Sequence, residues 1–125
     1  MKTDKFSFTS RLLSFKFAYN GLAALLKNEH NARVHLLAAI IAITCGIVLN
    51  INALEWSLLI IVIGSIFITE LLNTSLETLA DFVQPEWNEK IRMAKDYSAA
   101  AVLISAILSV IVGGLIFIPK ILVLF

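Results

Sequence analysis

WSLLIIVIGSIFITELLNTSLETLAD, residues 56–81, joins an apolar run to a stripe of acids with no helix breaker between them. Residues 56–69 are almost wholly apolar, as a helix crossing hydrocarbon requires. Glu70, Asn73, Glu77 and Asp81 follow at i, i+3, i+7 and i+11, so on an α-helix they occupy roughly one quarter of the circumference. Three carboxylates on one stripe repel one another, and a hard cation held by oxygen ligands is the usual resolution where water is scarce. The pattern predicts a helix over about residues 55–82, with Gly64 its only glycine and Pro85 the first proline of the chain. Glu70 lies about 22 Å along the axis from Glu55, at the inner edge of the hydrocarbon, and Glu77 lies about 10 Å farther, at the level of headgroups and water.

The rest of the chain is of the same kind. Its 125 residues suffice for a single domain, and a composition 59% hydrophobic and 15% charged belongs to an integral membrane protein. The expected fold class is an all-α membrane protein, with three transmembrane helices at about 30–50, 55–82 and 90–118 and an N-terminal amphipathic surface helix at about 6–27. The first span is short, and it needs Arg33 and His35 to lie in the interface. Lys2, Lys5, Arg11, Lys16, Lys27 and Arg33 precede it, and Lys90, Arg92 and Lys95 fall between the second and third. By the bias of basic residues toward the cytoplasm, both regions are expected there, with the 50–55 connection and the C-terminus outside. A net charge of +1 leaves no case for nucleic-acid binding, and the basic residues suit lipid headgroups and topology. Cys45 is the only cysteine, read as a buried structural thiol, and no apolar segment with a cleavage site follows Met1 as a secretory signal would require.

Phe8, Leu12, Phe15, Tyr19, Leu22 and Leu26 recur at spacings of three and four, which predicts a helix lying in the interface with its aromatic face toward the acyl chains. Glu29 and Arg33 stand at i, i+4 before the first span and read by residue type first as a solvated pair and only second as part of a metal site, while His35 reads first as an interfacial hydrogen-bonding residue. In QPEWNEKIRM, residues 84–93, Pro85 is expected to open the turn and a short helical start to follow near Glu86. Ala101, Ser105, Ser109 and Gly113 make a ladder of small residues suited to close helix packing, within a bundle or between subunits. Pro119 and Lys120 are expected to end the third span.

No G-x-x-x-x-G-K-[ST], G-x-G-x-x-G or H-R-D element occurs, so any nucleotide chemistry uses a different kind of site. What the cytoplasmic side offers is Glu29, Glu70, Glu77, Asp81, Lys95 and Asp96. Phosphoryl transfer needs little more: charge neutralisation on the phosphate oxygens, a cation to steady the transferring group, and a carboxylate to accept the nucleophile's proton. A small ion-binding transporter subunit with Glu70 as an intramembrane cation site is the competing reading. The clustering of Lys95, Asp96 and the stripe on one side argues against it, because a transport path would be lined near the midplane.

These residues resemble a family. E70-L-L-N73-T-S-L-E77-T-L-A-D81, followed by A94-K95-D96-Y-S-A-A-A-V-L, together with F15-K16-F17-A18-x-x-G21 and E29-x-x-x-R33-x-H35, is similar to the small prokaryotic lipid kinases that phosphorylate diacylglycerol or undecaprenol. The resemblance covers nearly the whole chain, with Ala80 where the family usually carries Val. It implies transfer of the ATP γ-phosphate to the hydroxyl of a membrane lipid alcohol, with Glu70 as the catalytic base and Glu29 and Glu77 as ligands of Mg2+. It further implies that Asn73 orients a metal water or phosphate oxygen, that Lys95 neutralises phosphate charge with Asp96 close by, and that Glu86 and Asn88 lie near adenine and ribose. Ser10, beside Arg11, and Phe17 occupy the region where the family often offers an Arg and a Tyr to the nucleotide. The resemblance also implies a homotrimer with active sites shared between neighbours, in a bacterial inner membrane, with N-terminus and active site cytoplasmic. His35 and the Glu55-Trp56 pair look more like the undecaprenol branch than the diacylglycerol branch, which tends to carry a carboxylate at the position of His35.

Overall fold

The computed structural model describes residues 5–125, so Lys2 lies outside the described residues. Four helices follow one another: α1 Phe8–Asn28, α2 His30–Val48, α3 Ala53–Val83 and α4 Glu89–Val123. There is no strand among the described residues, and α2, α3 and α4 are each long and apolar enough to cross a membrane. At 31 residues α3 runs about 46 Å, well beyond a hydrocarbon layer of about 30 Å.

The boundaries have local causes. Ser7 caps α1 by accepting the Ser10 N–H. Glu29 is the single extended residue between α1 and α2, with φ −103° and ψ 115°, and its N–H closes on the Leu25 carbonyl. That position corrects the expected helical pairing of Glu29 with Arg33: an extended backbone turns the Glu29 side chain off the face of α2, and no ion pair joins the two among the described residues. At the other end of α2, Asn50 takes a left-handed conformation at φ 54°. The Ile51 N–H returns to the Gly46 carbonyl at 3.1 Å and the Asn50 N–H to Ile47 at 3.3 Å, a double closure that asparagine tolerates better than most residues. Asn52 and Glu55 then form a reciprocal capping box, at 2.9 and 3.0 Å, that starts α3.

Two expectations about α4 are corrected. Glu86 sits in the bend between helices, and the helix begins at Glu89, because Asn88 accepts the Lys90 and Ile91 N–H groups as its cap. Pro119 does not end α4, which continues to Val123. A proline removes only its own N–H from the ladder, and the turn beyond it is closed by Leu124 N–H bonding Ile121 and held by Lys120, whose ammonium lies 3.2 Å from Glu55.

Helices α3 and α4 run antiparallel and make the main interface, with α2 packed across both and α1 resting on α2 and α3. The small-residue ladder serves this interface at its middle. Ser109 donates to the Val62 carbonyl of α3 at 3.2 Å, and Thr69 donates to Ser105 at 3.3 Å, while Ala101 is exposed. An apolar core of Ile51, Leu59 and Ile116, with Trp56 and Phe117 against it, closes the end near the 50–55 connection. There Gly46 leaves no room for a side chain, since a Cβ would lie 2.8 Å from the Trp56 ring. Most large apolar residues remain exposed on the outside of the bundle, including Leu37, Ile61 and Val110, as a surface facing hydrocarbon demands. The aromatic residues of α1, Phe8, Phe15 and Tyr19, are exposed as well, and only Leu25 is buried on that helix. Cys45 is free and half-buried.

Candidate active site

Glu70 is one of two buried polar residues of the described chain, 4% exposed, and the other is Ser105. A carboxylate out of water is costly unless something answers it, so its surroundings matter. It opens into a cavity of about 390 Å³ lined by Asn31 and His35 from α2, Glu70, Asn73 and Glu77 from α3, and Ala99, Val102, Leu103 and Ala106 from α4. Three of the four stripe residues therefore share one chamber. His35 Nε2 lies 3.3 Å from Glu70 Oε1, and it is the one basic side chain within ion-pair distance of the carboxylate among the described residues. Asn73 Oδ1 is buried in the same chamber with no hydrogen-bond partner. An orphaned oxygen beside two carboxylates is an unspent donor set for a cation or its bound water.

Below this chamber, His35 also borders a groove of about 200 Å³ whose other walls are almost entirely apolar: Ala38, Ala39 and Ala42 of α2, Leu59 to Phe67 of α3, and Ala106, Ser109 and Val110 of α4. The polar chamber thus adjoins an apolar one along the membrane-crossing helices, with His35 on both.

Asp81 leaves the stripe in a different way from its spacing. It is exposed and ion-paired with Lys95, and it borders a separate cavity of about 330 Å³ with Gln84, Pro85, Glu86, Trp87, Asn88, Ile91 and Arg92. The angular alignment with Glu70 survives, but eleven residues of rise carry Asp81 about 16 Å farther along, to where the turn into α4 closes over it. Glu86, Asn88 and Lys95 thus share one cavity, while Asp96 sits outside it, bound by Arg92 at 2.7 Å. Arg92 also clamps Glu89.

Glu29 is not brought to Glu77. It borders a third cavity of about 430 Å³ with Gly21, Leu25, Leu71, Thr74 and Thr78, on a face of α3 roughly a third of a turn round from Glu70 and Glu77. No three Asp, Glu, His or Cys residues converge among the described residues. The donors fit a hard cation by type, and within one chain only Glu77 and Asn73 are in place to offer them. Arg11, near the expected nucleotide-facing part of α1, lies over the Phe6 ring at 5.4 Å.

Residue type and spacing did not reveal His35 as the partner of Glu70, nor Trp87 and Arg92 as walls of the second cavity. The available signal was Asn31 and His35 at i, i+4, which places both on one face of α2.

Comparison with known proteins agrees with this chemistry. A family model described as prokaryotic diacylglycerol kinase matches residues 16–117. The chain is 36% identical to undecaprenol kinase of Bacillus subtilis over 107 residues, 86% of this chain and 87% of that one. It is 36% identical to a diacylglycerol kinase of Synechocystis over 112 residues, 89% of this chain and 64% of that one. With the diacylglycerol kinase of Escherichia coli K12 it shares 32% identity over 111 residues, 89% of this chain and 91% of that one. The match over most of the chain places it plainly: the chain belongs to the prokaryotic diacylglycerol kinase family, and it is a lipid kinase, a phosphotransferase.

Proposed function

We propose that the chain phosphorylates undecaprenol, with ATP as the donor and Mg2+ as the cofactor, at the cytoplasmic face of a bacterial inner membrane. The observation that carries this is the position of Glu70, buried at the junction between a polar chamber and an apolar groove. A lipid alcohol reaches the interface hydroxyl first, with its hydrocarbon in the layer below. Glu70 takes the hydroxyl proton there, as general bases do within hydrogen-bonding reach. Glu77 and Asn73, on the water side of Glu70, would hold Mg2+, and the orphaned Asn73 oxygen supports their part. Bound there, the ion would neutralise charge on the phosphate oxygens. Lys95 and the cavity of Glu86 and Asn88 lie one further step into the water and suit the nucleotide, with Lys95 exchanging Asp81 for phosphate and Asp96 beside it.

Glu29 supports a shared site. Because it faces a different cavity from Glu77 in the same chain, it can complete the donor set only for a neighbouring copy, in keeping with a homotrimer. The basic residues support the orientation: those of the α1–α2 and α3–α4 connections lie at the end that carries Glu77 and Asp81, and Lys120 lies at the opposite end, paired with Glu55.

The lipid is tested directly. Purified protein in mixed micelles with labelled ATP is offered undecaprenol or diacylglycerol, and the expected result is a higher kcat/KM for undecaprenol, a preference that His35 and the Bacillus subtilis relative support. A clear preference for diacylglycerol would move the substrate to the other branch. Glu70→Gln is expected to lower turnover by about 10²–10⁴-fold with lipid KM little changed, and wild-type turnover in that variant would remove the base.

A further inference from the structure

We propose that His35 is a positioning residue for the phosphoryl-transfer step, holding one oxygen of Glu70 so that the other faces the lipid hydroxyl. This role rests on Glu70 being the base. Its starting point is the 3.3 Å approach of His35 Nε2 to Glu70 Oε1, at a carboxylate whose side chain is only 5% exposed. Such a group can swing between rotamers unless one oxygen is tied, and no other side chain ties it among the described residues. The approach is an ion-pair contact that falls short of hydrogen-bond geometry, as contacts at catalytic groups often do before substrate arrives, and a small turn of the ring would close it.

The imidazole's place in the fold adds a second, independent observation. His35 is the residue of α2 that borders both the polar chamber and the apolar groove beneath it. It is 22% exposed where Glu70 is 5%, so it forms the rim between the two spaces. With the proton on Nε2 and the ring so turned, His35 would donate to Oε1 and leave Oε2 as the acceptor. During the reaction the lipid O–H bond breaks toward Oε2 as the new O–P bond forms. The diphosphate leaving group keeps the electron pair of the bond that breaks at phosphorus. The proton ends on Glu70 and the charge on the released nucleotide. A carboxylate free to rotate would present that acceptor only part of the time, so loss of the tie lowers kcat without weakening capture of lipid or nucleotide.

The experiment compares His35→Gln, His35→Asn and His35→Ala in lipid-kinase assays that separate kcat from both KM values, with Glu70→Gln run alongside. Gln carries an amide N–H to about the place of Nε2, whereas the shorter Asn stops near Nδ1. His35→Asn and His35→Ala are expected to lose about 10–100-fold in kcat with both KM values near wild type, and His35→Gln to recover most of that loss. Equal kcat for Gln and Asn would overturn the proposal, and so would a loss confined to KM or wild-type kcat in all three. Because Gln and Asn are both polar and suit the rim, their difference decides the matter even if the Ala variant folds poorly. An inactive Glu70→Gln beside fully active His35 variants would end the positioning role and leave the base in place. A fully active Glu70→Gln would remove the base, and with it this proposal.

Discussion

Lys95 on α4 is ion-paired with Asp81 on α3, across the point where the two helices part to make the turn between them. The pair is partly exposed, with side chains 34% and 66% accessible, so it contributes little to stability, about 0–1 kcal/mol. A pair this exposed leaves Lys95 able to exchange Asp81 for phosphate, as the proposed mechanism asks. Asp81→Asn is expected to leave the unfolding midpoint and turnover near wild type, whereas Lys95→Met lowers kcat by far more than it lowers stability. Denaturation and kinase assays on the same preparations test this, and parallel small losses in both variants would reduce Lys95 to a strut.

Carboxylates at the two ends of α3 are expected to respond differently to substitution. Glu77 is expected to raise the Mg2+ concentration needed for half-maximal rate when changed to Gln, and to lower turnover sharply. Glu55→Gln should do neither, because Gln at the third helical position can still complete the capping box with Asn52, and only the pair with Lys120 is lost. A Mg2+ titration of both variants separates these outcomes. Equal losses would mean that a change anywhere on α3 damages the fold.

Gly46 tests the packing at the far end. Its Cβ would meet the Trp56 ring at 2.8 Å and Ile51 Cδ1 at 3.1 Å, so Gly46→Ala should destabilise the protein by about 1–3 kcal/mol. Activity per folded molecule should stay close to wild type, since the contact lies at the opposite end of the bundle from Glu70. Detergent-titrated unfolding gives the first quantity, and normalised turnover the second. Replacing Trp56 with Leu in the same chain should recover part of the loss.

Shared sites make a prediction that no single variant can. Glu29→Gln and Glu70→Gln subunits, each inactive alone, should regain activity when unfolded together and reassembled, because some chambers then receive both intact carboxylates. No recovery in mixtures that do form mixed oligomers would mean that each chain supplies its own complete site.

The run from residue 55 to 82 was legible because it depends on local rules: an apolar stretch without breakers, an acidic stripe at helical spacing and a proline just beyond it. The helix observed, Ala53–Val83, differs by two residues at one end and one at the other, where Asn52 and Gln84 take over as caps. What was hidden depends on how helices meet. His35 and Glu70 are 35 residues apart and meet only through the packing of α2 on α3. Asp81 shares the angle of Glu70 but not its chamber, because α4 arrives at that height with Lys95. Glu29 looked like the start of a helical pair with Arg33, yet one extended residue between α1 and α2 turned it to another face. Pro119 failed as a stop signal: α4 continues past it to Val123, with Lys120 paired to Glu55.

In α3 the segment that crosses the hydrocarbon and the segment that carries the acids are one rod, with no loop to absorb a change in length. With its capped first turn at one membrane surface, the height of Glu70 above that end would be set by helical rise alone. A lipid hydroxyl, in contrast, rides wherever the opposite surface happens to be. If Glu70 is the base as proposed, the molecule works as a ruler laid across the bilayer, and lipid thickness becomes a variable of the reaction: acyl chains that are too long or too short would offer the hydroxyl above or below it unless the rod tilts or the bilayer deforms.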